Sequence, residues 1–92
     1  MVNAIILLKV RTDRINEVAQ ALVELEGVSE VYSVAGQHDL VVMIRAQNDE
    51  QVATVVTEKI LKEVGLISSE TLIAFRTYSK HDLDRMFSVG LE

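Results

Sequence analysis

The residues best suited to chemistry stand in one short run, Ser33-Val34-Ala35-Gly36-Gln37-His38-Asp39, which leads directly into the apolar Leu40-Val41-Val42-Met43-Ile44. Gly36 can take positive φ at no steric cost, so the chain can reverse there. Asp39 follows where a carboxylate can cap its own turn. Such a turn sets backbone N–H groups beside a carboxylate, a pairing that suits a zwitterion. The N–H groups would take its anionic end and Asp39 its ammonium, through a charge-assisted hydrogen bond stronger than a neutral one. Each residue also has a plainer reading. Gly36 either serves only the turn or also lets a ligand approach bare backbone. Asp39 either caps the turn or accepts the ammonium. Gln37 and His38 read as solvent-facing turn residues that would set side-chain selectivity if a ligand lies there.

Little else in the chain invites covalent or metal chemistry. Cysteine is absent, which excludes disulfides, thiolate catalysis and sulfur-ligated zinc. His38 and His81 have neither HxH nor HxxxH spacing, so no metal site is expected. No cofactor is expected either, and no set of residues reads as an enzyme's. The 14 acidic and 9 basic residues leave a net charge of −5. The cations are scattered, which argues against direct nucleic-acid binding and against an anionic membrane surface. Met1 to Lys9 contains an apolar stretch too short for a signal peptide or a membrane span, so a cytoplasmic protein is expected.

The elements that would carry the turn follow from periodicity. Ala4 to Val10 is short, apolar and β-branched, which predicts a strand. Thr12 or Asp13 should cap a helix whose buried stripe is Ile15, Val18, Ala19, Leu22 and Leu25, stopped by Gly27. Val28 to Ala35 predicts a second strand. The spacing of Val28, Val31 and Val34 by three suggests a bulge in it. Asp39 to Ala46 is the third strand. Asn48 with Gln51 three residues on is a capping-box signature. It opens a helix with Val52, Val55, Val56, Ile60 and Val64 on its buried face, ended by Gly65. Ser69 to Ser79 alternates as a fourth strand. The order βαββαβ predicts an α+β, ferredoxin-like fold: a four-stranded antiparallel sheet with two helices on one face. The 92 residues are read as one domain, 1–92.

That fold puts the first and third strands in the middle of the sheet. They are also the two most apolar, Ile5-Ile6-Leu7-Leu8 and Leu40-Val41-Val42-Met43-Ile44. Helices cover only one face, and 49% of the chain is hydrophobic, with a mean hydropathy of +0.24. At roughly 25 cal/mol per Å² of apolar area, an uncovered face would cost several kcal/mol. A homodimer packed sheet against sheet is therefore expected, and Ile6→Lys or Val42→Lys should disrupt folding or dimerisation. Leu83, Met86 and Phe87 form an apolar trio at helical spacing, read as a clasp between subunits.

The chain resembles the effector-binding RAM domain of the Lrp/AsnC (feast/famine) regulators over nearly its whole length. The most specific stretch is Leu25-Glu26-Gly27-Val28-Ser29-Glu30-Val31-Tyr32-Ser33-Val34-Ala35-Gly36-Gln37-His38-Asp39. There a helix ends, a strand begins at a valine and a Gly-x-x-Asp turn follows. A second patch, Gly65 to Ile73, is similar to the family's approach to its last strand, with hydroxyls at Ser69 and Thr71. The resemblance is to the form without the N-terminal helix-turn-helix. It implies a small ligand, usually an amino acid, held at the contact between dimers by Gly36, Gln37, His38 and Asp39. Ser69 and Thr71 would come from a neighbour or the adjoining strand. It also implies a ring of dimers and an influence on transcription through assembly with full-length relatives. Two other classes share the fold. Small dimeric monooxygenases need a roomy polar or aromatic pocket, whereas these helix faces are aliphatic and Trp is absent. ACT-type regulatory domains bind amino acids but pack their sheets side by side.

Overall fold

The computed structural model describes residues 1–80; His81 and the trio Leu83, Met86 and Phe87 lie outside the described residues. The elements run β1 (Val2–Val10), α1 (Ile15–Val23), β2 (Val28–Ser33), β3 (Leu40–Ala46), α2 (Asp49–Thr54) and β4 (Leu66–Ala74). The strands form a four-stranded antiparallel sheet in the order β2-β3-β1-β4. The expected βαββαβ fold is the observed one, with the two most apolar strands at the centre.

Alternation along those strands sorts their side chains onto two faces. Ala4, Ile6, Leu8 and Val10 of β1 are buried under the helices, as are Leu40, Val42, Ile44 and Ala46 of β3. Register joins them into one patch, with Ile6 opposite Val42 and Leu8 opposite Leu40. Val18 and Leu22 of α1 and Val52 of α2 close over it, together with Val55, Val56 and Ile60. No polar or charged residue is among the buried ones in the described chain, so the core is filled by apolar side chains.

The opposite face keeps an apolar centre: Ile5 faces Met43 across the strands, and Leu7 faces Val41. These four residues are half-buried, and Leu72 lies beside Ile5 on β4. Lys9, Glu30, Tyr32, Arg45 and Glu70 surround them. Both edge strands carry a bulge. Ser29 is the extra residue of β2, between Val28 opposite Ile44 and Glu30 opposite Met43. Its hydroxyl donates to the Met43 carbonyl at 3.1 Å. Ile67 is the extra residue of β4, between Leu66 opposite Val10 and Ser68 opposite Lys9.

Three local expectations are corrected. Neither Thr12 nor Asp13 caps α1: Thr12–Arg14 form a 3-10 turn with no side-chain cap, and Asp13 instead pairs with Arg11 at 2.9 Å. Asn48 does cap α2, accepting from the Gln51 N–H at 2.8 Å. Gln51 reaches back to the Gln47 N–H at 2.7 Å, one residue further than in the usual capping box. Beyond Thr54 the helix widens into a π turn at Val55–Lys59, then tightens to a 3-10 turn at Ile60–Lys62, where it ends. Ile60 is buried as expected, but Val64 lies past that end and is 67% exposed instead of buried. The last strand runs Leu66–Ala74 rather than from Ser69 to Ser79, because its ladder with β1 ends where Ala74 stands opposite Asn3, one residue from the start of β1.

Candidate functional site

The expected turn is the loop of residues 34–39 that joins β2 to β3. The Val34 N–H donates to the Asp39 carbonyl at 3.0 Å and closes it. Gly36 has φ +135°, yet a Cβ built there would meet nothing within 4 Å. The backbone angle, not crowding, calls for glycine, and bare backbone faces open space. Gln37 is exposed, while His38 and Asp39 are half-buried. Among the described residues, nothing accepts a hydrogen bond from the N–H groups of Gly36, Gln37 or His38.

Asp39 is bound to β1 twice. Its N–H donates to the Leu8 carbonyl at 2.8 Å, and its Oδ2 accepts from the Val10 N–H at 2.8 Å. Pairing of β3 with β1 stops at Leu40 opposite Leu8. Beyond that point β3 supplies no carbonyl to Val10, and the side chain stands in for one. The carboxylate thus adds a rung to the central ladder and does not cap its own turn. Oδ1 has no partner among the described residues. An ionised carboxylate offers about four lone-pair sites, so acceptor capacity remains. Val10 is the participant that side-chain reasoning missed, since it contributes through its backbone alone.

Ser69 stands opposite Leu8 and Thr71 opposite Ile6, both exposed on the edge strand. The row Leu40–Leu8–Ser69 crosses two strand spacings, about 10 Å. The structure therefore gathers Gly36 to Asp39 at one end of the sheet and sets Ser69 at the same end, with β1 between them. Thr71 lies one alternation further along. Within one chain the hydroxyls and the turn do not converge.

The same end of the sheet is fastened by Gly65 and Arg14. The Arg11 N–H donates to the Gly65 carbonyl at 2.8 Å. At Gly65, φ is +101° and a Cβ would fall 2.8 Å from Cβ and 2.9 Å from Cγ of Arg14. The Arg14 chain lies across the place a side chain would occupy. Its Nε is buried and has no partner among the described residues.

Among the described residues, no group of three or more metal-ligating side chains is placed to hold a metal ion. No helix is long and apolar enough to cross a membrane. On the open face of the sheet, the Tyr32 hydroxyl donates to Glu30 Oε2 at 2.6 Å, and this bond raises the tyrosine pKa above its ordinary 10.0.

Residues 3–84 match the family described as the Lrp/AsnC ligand binding domain, and the chain belongs to that family. It is 35% identical over 77 residues to the HTH-type transcriptional regulator FL11 of Pyrococcus abyssi, covering 84% of this chain and 50% of FL11. It is 38% identical over 61 residues to the HTH-type transcriptional regulator PF0250 of Pyrococcus furiosus, covering 66% of this chain and 41% of PF0250. The chain thus spans half or less of the length of these regulators. The crystal structure of TTHA0845 from Thermus thermophilus superposes with a TM-score of 0.82 at 41% identity, covering 87% of this chain and 100% of that one.

Proposed function

We propose that this chain is a non-enzymatic, cytoplasmic effector-binding module of one domain, 1–92, whose ligand is an amino acid or a similar zwitterion. One observation carries the reading: Asp39 commits one oxygen to Val10, while its other oxygen and the N–H groups of the adjoining Gly36, Gln37 and His38 have no partner among the described residues. The N–H groups of Gly36, Gln37 and His38 receive the ligand carboxylate, and Asp39 Oδ1 receives its ammonium. Every amino acid carries both charges, so these contacts give affinity, while Gln37 and His38 choose among side chains. Because β1 separates Ser69 and Thr71 from the turn of their own chain, they act on the ligand held by a neighbour.

The module self-associates through the open sheet face around Ile5, Leu7, Val41 and Met43. The resulting homodimers assemble further into a ring, with the ligand at the contact between them. The ligand shifts assembly toward whichever state holds it more tightly. The chain has no hold of its own on DNA and acts on transcription through mixed assembly with full-length relatives.

A thermal-shift screen of the twenty amino acids finds the ligand. At about a hundred times its dissociation constant, a ligand stabilises by roughly 2.7 kcal/mol. Calorimetry on Asp39→Asn and Gly36→Val then tests the site. Asparagine keeps an oxygen for Val10 but turns an amide, not a charge, toward the ammonium, and a loss of at least tenfold in affinity is expected. If both variants bind as tightly as wild type, the site is elsewhere.

A further inference from the structure

Three aliphatic side chains stand exposed together where the helix layer leads into β4: Leu61, Val64 and Ile67. Two successive turns fold this stretch into a tight bend. The Glu63 N–H donates to the Ile60 carbonyl at 3.1 Å, and the Leu66 N–H donates to the Glu63 carbonyl at 3.4 Å. The bend is anchored by the Arg11 N–H on the Gly65 carbonyl and by the Arg14 chain packed against Gly65. Ile67 is the bulged residue of β4, and a bulge re-aims the side chain it carries. Leu61 belongs to the helix layer, so the patch lies off the open sheet face of Ile5 and Met43. Single exposed aliphatics are ordinary, but three on one anchored bend mark a contact surface.

We infer that this bend is the seat for the turn of a second copy, which sets its Val34 and Ala35 against Leu61, Val64 and Ile67. The inference rests on the reading of residues 36–39 as a ligand site that a neighbour completes. If the neighbour's Ser69 reaches the ligand, whatever flanks Ser69 must meet whatever flanks the turn. Ile67 precedes Ser69 by two residues, about 7 Å along the strand. Val34 and Ala35 come just before Gly36, and both are exposed and aliphatic. A chain cannot seat its own turn, because β1 lies between the turn and β4 in the sheet. Turn and seat are different surfaces of one subunit, so the contact is head-to-tail, the kind that can close a ring. Closing this aliphatic rim excludes water from the charged ligand contacts beside it and strengthens them.

Sedimentation velocity on the whole chain provides the test, with and without a mixture of the twenty amino acids. Wild type should sediment above the dimer, whose mass is twice 10.3 kDa. Val64→Lys and Ile67→Lys on the seat, and Val34→Lys on the turn, should each stop at the dimer. Their circular dichroism spectra should be unchanged, since all three positions are exposed. Val34→Lys combined with Val64→Glu should assemble beyond the dimer again, because each contact then gains a pair of opposite charges. A wild type no larger than a dimer in both conditions, seat variants that assemble like wild type, or a seat variant that falls to a monomer would overturn the inference. So would Val34→Lys that assembles while Val64→Lys does not, since another surface would then occupy the seat. The ligand reading is judged apart, by amino-acid binding that Asp39→Asn weakens. If that loss is seen while the seat variants still assemble, only the seat falls.

Discussion

Asp39→Ala separates the carboxylate's work in the sheet from its work on a ligand. In the folded chain, Oδ2 accepts a part-buried hydrogen bond from the Val10 N–H at 2.8 Å. A hydrogen bond to a charged group contributes about 1.5–3 kcal/mol net. Part-burial lets water reach the orphaned amide, which places the loss in the lower half of that range, about 1.5–2 kcal/mol. For a chain of this length that corresponds to a fall in Tm of roughly 6–16 °C. Asp39→Asn retains an acceptor for Val10, though a neutral one, and should lose only about 1 kcal/mol. Urea unfolding with linear extrapolation gives both differences, at one protein concentration because the proposed self-association would add to apparent stability. The reasoning fails if alanine costs less than about 0.5 kcal/mol, or if asparagine is no better than alanine.

Alanine at Gly36 or Gly65, both at positive φ, should be strained by about 1–3 kcal/mol, but Gly65→Ala must also displace Arg14, whereas Gly36→Ala enters open space. Gly65→Ala should therefore be the less stable by urea denaturation, and equal stabilities would refute the packing described. Val42 has no exposed surface, so Val42→Lys or Ile6→Lys tests folding only and should yield no folded protein. The dimer is tested by Met43→Lys on the other face, which should fold and sediment near 10.3 kDa; an unchanged assembly would exclude that face as the contact. The hydrogen bond to Glu30 favours the protonated Tyr32 hydroxyl, so its contribution to stability is full below the ordinary 10.0 and is lost as pH rises through the raised value. Ultraviolet titration should show a late tyrosinate transition that Glu30→Gln brings down, and identical curves for the two proteins would contradict it.

Much of this architecture could be read from the order of residues because it rests on burial. The apolar runs of β1 and β3 have to be central, and the Val18 and Leu22 stripe of α1 has to face them. The bulge in β2 was legible in the valine spacing. The bulge at Ile67 was not, because nothing in Leu66-Ile67-Ser68 breaks the apolar pattern. The π turn of Val55–Lys59 has no glycine or proline to announce it, and nothing in Ile60-Leu61-Lys62 marks a helix end short of Val64. Of the candidate site, the turn and its aspartate were legible, whereas the anchor was not. Any residue but proline at position 10 would present the same N–H, so its identity carries almost no signal.

Each edge of the sheet is interrupted by its own extra residue, Ser29 on β2 and Ile67 on β4. An edge strand offers a row of unpaired N–H and C=O groups, and a straight one is a template on which further strands can stack without limit. A bulge twists the strand and breaks the even spacing that stacking needs. For a chain this rich in β-branched residues, that separates a countable oligomer from a fibre. Growth by sheet edges is frustrated on both sides, which leaves the proposed face-to-face pairing as a contact that closes on itself.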